Sequence, residues 1–145
     1  MQNHRPSLFR VISVDYASLL AVLFPVVFWV WSGYYFYSGD DSLQLFLTLS
    51  AIVSLVAIPF LFWRYRMISS IFEDGIETQG TVTATRFFRG RGRIEYAYSL
   101  QGQKFVSSNA VNRTQYTREL SEGQQVTVFM DRDNPKRAFL KEVYL

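Results

Sequence analysis

The sequence predicts a membrane α + β protein: a two-helix transmembrane hairpin followed by a small five-stranded antiparallel β-barrel of the SH3-like or OB-like kind. Three observations carry this. Two long runs without charge fill the first part of the chain, the apolar period changes to two from Thr81 onward, and Gly-containing turns punctuate the remainder. The expected organisation is an N-terminal tail at 1–15, the hairpin at 16–63, a juxtamembrane helix and linker at 64–80, and the β-domain at 81–145.

From Tyr16 to Tyr37 there is no charged side chain, and from Ser42 to Trp63 there is again none. A helix needs about 20 apolar residues to cross a hydrocarbon core of about 30 Å, so both runs are long enough to span. A chain of 145 residues has too little surrounding protein to bury two helices that are apolar all round, which disfavours core helices of a soluble globule. A cleaved signal peptide is disfavoured by bulky Trp29, Trp31, Tyr34 and Tyr35 around the small pair Ser32-Gly33, and by the second run that follows.

The acidic turn Ser38-Gly39-Asp40-Asp41-Ser42 joins the runs, with Asp41 or Ser42 expected to cap the second helix. Arg5 and Arg10 precede the first run and Arg64 and Arg66 follow the second. The positive-inside rule then puts both termini in the cytoplasm, as for a multi-pass protein of the inner membrane. Tyr34 to Tyr37 and the pair Trp63 and Tyr65 are the expected aromatic belts. Pro25 and Pro59 lie inside the spans, and Ala17 with Ala21, or Ser50 with Ser54, offer small-residue faces that suit packing within the hairpin.

After Arg66, apolar Met67, Ile68, Ile71 and Phe72 recur at helical spacing, so the second helix is expected to run on, with this stripe either along the membrane surface or covering the β-domain, the second being preferred because acidic Glu73 and Asp74 sit beside it. Gly75 suits a left-handed position beyond its end. The cleanest strand is Ile94 to Leu100, where large apolar residues alternate with small or charged ones. Thr81 to Phe88, Lys104 to Ser108, Val126 to Met130 and Ala138 to Leu145 complete the expected five, with 109–125 left as a loop or short helix.

Composition excludes several chemistries. Without cysteine there are no disulfides, thiolate metal sites or cysteine nucleophiles. The sole histidine, His4, is in the polar N-terminal tail, far in sequence from any nucleophile. Glu77, Glu95, Glu119 and Asp131 form no readable convergent acid–base pair. Asp131, Asp133, Asn134 and Glu142 imitate a calcium loop, but Pro135 takes a ligand position and Lys136 replaces the required glycine. Asp131, Asp133, Asn134 and Pro135 are therefore read as a structural turn. Asn112-Arg113-Thr114 matches a glycosylation sequon but falls in a segment assigned to the cytoplasm. A net charge of only +3 gives no polyanion-binding signature overall, and nucleic acid is not an expected partner.

The sharpest local feature is Arg89-Gly90-Arg91-Gly92-Arg93 after Phe87-Phe88, with Lys104 expected to face it from the neighbouring turn. Exposed arginine at a hairpin tip commonly serves solubility and blocks edge aggregation. Near a leaflet it also gains from anionic lipid, and Phe87, Phe88, Arg89, Arg91, Arg93 and Lys104 are the candidate lipid or partner contacts.

Paired transmembrane helices combine with Gly75, Gly80-Thr81-Val82, Tyr96-x-Tyr98 and Val126-x-Val128-Phe129-Met130-Asp131-x-Asp133-Asn134-Pro135-x-x-Ala138. Together they resemble an uncharacterised bacterial two-transmembrane-helix family with a small C-terminal β-domain, known as a domain of unknown function. Met130 stands where that pattern has an aromatic residue. The resemblance implies the architecture and leaves activity open. The residues point to a non-catalytic, membrane-anchored interaction module that presents its barrel to anionic lipid, to a protein partner or to a second copy, with no cofactor. An accessory subunit of a membrane enzyme complex and an oligomeric pore are the competing classes.

Overall fold

A computed structural model describes residues 5–145. His4 lies outside the described residues. The order of elements is α1 (Leu8–Val14), α2 (Tyr16–Ser38), α3 (Leu43–Asp74), β1 (Ile76–Phe88), β2 (Arg91–Leu100), β3 (Gln103–Asn112), α4 (Gln115–Arg118), β4 (Gln125–Met130), β5 (Ala138–Leu140) and α5 (Lys141–Tyr144).

The apolar runs form an antiparallel hairpin, and both helices are long and apolar enough to cross a membrane. At about 1.5 Å per residue α2 is roughly 34 Å long and α3 roughly 48 Å, so α3 outreaches a hydrocarbon core by several turns. The small-residue face does pack within the hairpin: the Ser32 and Ser50 hydroxyls meet at 2.8 Å, and Trp29 Nε1 donates to Ser54 Oγ at 3.0 Å. Tyr35 packs on Phe46 at 4.6 Å between ring centres near the turn. That turn differs in detail from expectation. Gly39 is left-handed at φ +70, Ser42 makes no side-chain cap, and Asp40 Oδ1 instead accepts from the Ser42 amide at 2.7 Å.

The five strands form one antiparallel sheet of order β3-β2-β1-β4-β5, curled until its two edges nearly meet. Alternation on β2 sends Ile94, Tyr96 and Tyr98 inward, as the period of two requires. The core adds Val82, Val126, Val128, Met130 and Leu140. Between Val82 and Ala84 a bulge tightens the bend of β1, the longest strand, which pairs with both β2 and β4. No ladder joins β3 to β5. The seam is bridged by side chains instead: Asn109 Nδ2 donates to the Ala138 carbonyl at 3.0 Å, and Ser107 Oγ to the Lys136 carbonyl at 3.0 Å.

Four expectations need correction. β1 begins at Ile76, because residues 76–79 pair with β4 through Ile76↔Met130 to Gln79↔Thr127, a partnership that leaves no local apolar pattern. Gly75 has φ −71 rather than a left-handed conformation. Its glycine is required by close approach, since a Cβ there would collide with the carbonyl oxygens of Ile71 and Met130. The segment 138–145 is a three-residue strand followed by the helical turn α5. Finally, the N-terminal segment is structured in its described part: α1 buries Val11 and Val14 completely in the barrel core.

Candidate functional site

Three arrangements carry the polar chemistry of the described residues. The first is at the base of the hairpin. Asp15 ends α1 and caps α2, its Oδ2 accepting from the Ser18 amide at 2.9 Å and the Ser18 hydroxyl at 2.7 Å. Arg64 comes from α3, where its antiparallel path returns to the same level. Its Nη2 and Nε donate to the two carboxylate oxygens of Asp15 at 2.9 and 3.2 Å, a forked pair. Tyr144, from the last helical turn, donates its hydroxyl to Asp15 Oδ1 at 3.2 Å. Asp15 is only 1% exposed. Burial, with the Asp15 carboxylate beside it, pushes the Tyr144 phenol well above its usual range. This cluster ties both helices to the barrel.

The sequence reading missed it, although two signals were present. Asp15 stands three residues before Ser18 at the head of an apolar run, an N-cap spacing, and Arg64 is the first cation after the second run. In an antiparallel hairpin those positions are neighbours. A clasp beside it locks the ends of the chain. Arg10 Nε donates to the Val143 carbonyl at 2.8 Å, and its guanidinium stacks on Tyr116 at 3.2 Å from the ring centre.

The second arrangement is the barrel seam. The Tyr96 hydroxyl meets Asn109 Oδ1 at 3.0 Å and the Ala138 carbonyl at 2.6 Å, and Tyr98 donates to the Pro135 carbonyl. Burial raises both phenol pKa values above the ordinary tyrosine range. The Asp-x-x-Asn-Pro segment is the structural turn expected: Asp131 Oδ1 accepts from the Asp133 amide, Asn134 Oδ1 from the Lys136 amide, and Asp131 pairs with Arg137 at 3.2 Å. Glu142 accepts instead from the Thr127 amide at 2.8 Å, apart from that turn. Among the described residues no cluster of three or more histidines and carboxylates could hold a metal.

A pH dependence follows from the raised phenols. Folding keeps Tyr96 and Tyr144 neutral, whereas the unfolded chain ionises them near pH 10. Their contribution is therefore complete below about pH 10 and declines as pH climbs beyond it. Thermal midpoints of the detergent-solubilised protein should fall steeply in that range. Tyr96→Phe should cost about 1–2 kcal/mol at neutral pH, by removing the seam bonds, while making the alkaline decline shallower.

The third arrangement is the arginine hairpin. Arg89 (φ 49) and Gly90 (φ 88) form a tight two-residue turn of the type that suits twisted strands. Adjacent strand residues point to opposite faces, so Phe87 and Phe88 separate: Phe87 packs against the core and over Gly92, and Phe88 is 63% exposed. Arg89 lies over the Phe88 ring at 5.1 Å. Arg91 Nη1 donates to the Tyr16 hydroxyl at 3.1 Å, which puts the tip beside the first residue of α2. Lys104 does not face this tip. It pairs with Ser99, roughly 26 Å along the strand from Arg91 at about 3.3 Å per residue, because antiparallel pairing carries the next turn to the other end of the barrel.

Fold and sites together define a class: two long apolar helices carrying a small, nearly closed antiparallel β-barrel fastened to their base. Within it, residues 78–143 match the family described as Domain of unknown function (DUF3592), which spans nearly the whole barrel. This agrees with the resemblance drawn from the Tyr-x-Tyr strand and the Asp-x-x-Asn-Pro turn. No curated protein and no solved structure matches the chain.

Proposed function

We propose that this protein is a membrane-anchored, non-catalytic interaction module, with α2 and α3 spanning the bilayer and the barrel held against the surface at their shared base. One observation carries the reading. α3 runs unbroken from an apolar span into the barrel core, where Ile68, Ile71 and Phe72 are buried, so anchor and barrel form one continuous structure. On the positive-inside rule, both termini and the barrel belong on the cytoplasmic side and the Asp40-Asp41 turn on the other.

Alkaline carbonate extraction of membranes from cells expressing the full chain provides the test. The protein is expected to stay in the pellet, and its release with peripheral proteins would overturn the anchored reading. A reporter fused after Leu145 should be active only if its enzyme works in the cytoplasm.

A further inference from the structure

We propose that the outer face of the β1–β2 hairpin is a seat for the phosphate of an anionic phospholipid, in the leaflet where α2 begins. The assignment rests on the membrane-anchored reading above. The register pairs Arg86 with Arg93 and Phe88 with Arg91, and residues directly opposite share a face, so three guanidiniums and one exposed ring lie together. Like charges placed opposite each other destabilise a sheet unless an anion offsets them. None of the three arginines has an ion-pair partner among the described residues, whose pairs are Arg5–Glu73, Arg64–Asp15, Arg137–Asp131 and Lys141–Glu77. Glu95, the next acidic residue along that face, sits opposite Ala84 and makes no ion pair with them.

Position supplies the second argument. These side chains line an open cleft of about 430 Å³ together with Tyr16, the first residue of α2. Arg91 is hydrogen-bonded to that tyrosine. The start of a spanning helix lies where lipid phosphates sit, just outside the hydrocarbon. Guanidinium forks match phosphate oxygens, and Phe88 is placed to enter the acyl boundary beside them. The lipid would stand between the barrel and α2, touching both.

The full chain in detergent, offered equal amounts of phosphatidylglycerol and phosphatidylcholine, is read by native mass spectrometry. Wild type should retain the anionic lipid with a preference of at least about tenfold, and each charge removed should cost about fivefold. The triple variant Arg86→Gln/Arg91→Gln/Arg93→Gln should then show almost none. Replacing the same three by lysine should keep the part that charge supplies and lose the part that the forked contacts supply, giving a preference between those of wild type and the glutamine variant. Lys104→Gln, at the opposite end of the barrel, should leave the wild-type preference unchanged. Absence of a preference in wild type, its survival in the glutamine variant, or an equal loss in Lys104→Gln would overturn the seat. Displacement of the lipid by an equal concentration of inorganic phosphate would overturn its lipid occupant in favour of a soluble anion. Carbonate extraction of the membranes from which the chain is taken, before detergent is added, separates the two proposals: release into the supernatant defeats the anchor, while a pelleted chain whose detergent extract shows no lipid preference defeats the seat alone.

Discussion

Asp15→Ala is expected to lower the stability of the full chain by about 3–5 kcal/mol, the cost of breaking a buried ion pair by removing one partner. The substitution strips the N-cap from α2, removes both oxygens that hold the Arg64 fork, and leaves the Tyr144 hydroxyl buried without that acceptor. The cost is dominated by what remains. A guanidinium largely enclosed by protein must then find water or move, and its side chain is only 24% exposed. Thermal unfolding in detergent measures the total. Hydrogen exchange locates it, with faster exchange expected at Tyr144 and at Val111, whose backbone bridges to Asp15. A cycle of Asp15→Asn, Arg64→Gln and the double variant should return a coupling of about 1–3 kcal/mol. A coupling near zero would mean that the two side chains act independently, and that the helices are tied to the barrel by apolar packing alone.

Phe72→Ala is the apolar counterpart, with an expected loss of about 3–5 kcal/mol. The ring is 2% exposed and packs at a tilt against Phe129 on β4, 5.0 Å between ring centres, and against Tyr144 on α5, 6.1 Å away. It fills the space between the continuation of α3 and the barrel, and the backbone around it is held on both sides, so the cavity has little room to collapse. Exchange should quicken across β4 and β5 and stay slow within α2. Unchanged protection in β4 would show that the barrel keeps its packing without the helix beneath it.

Much of this architecture was legible because it rests on local periodicity. The uncharged runs, the Met67 to Phe72 stripe and the Ile94 to Leu100 alternation each announce one element, and each lies where it was expected. What escaped reading depends on partners distant in sequence. The first residues of β1 carry Glu77, Thr78 and Gln79, which read as linker until β4 pairs with them. The apolar alternation of the C-terminal segment suggests strand, yet the chain turns helical after Leu140. There the Val143 and Glu142 carbonyls accept from Arg10, and Tyr144 reaches Asp15. Lys104 looked close to the arginine tip only because turns were counted without register. Of the hairpin residues singled out, Arg91 and Arg93 share a face with Phe88. Phe87 faces the core, and Arg86, their partner on β1, was not recognised because its place opposite Arg93 exists only in the folded sheet.

Continuity of α3 has a geometric corollary. Arg64, Ile68 and Phe72 follow at steps of four along a rigid rod, the first engaged at the hairpin base and the others inside the barrel. No swivel interrupts them. The compass bearing of the barrel about the helix axis is thus set by residue count, and one extra residue between Trp63 and Ile68 would turn it by about 100°. Such an insertion would swing Arg91 away from Tyr16 while leaving every strand intact. Which side of this small barrel looks along the helical hairpin is written partly in the length of a helix, outside the barrel itself.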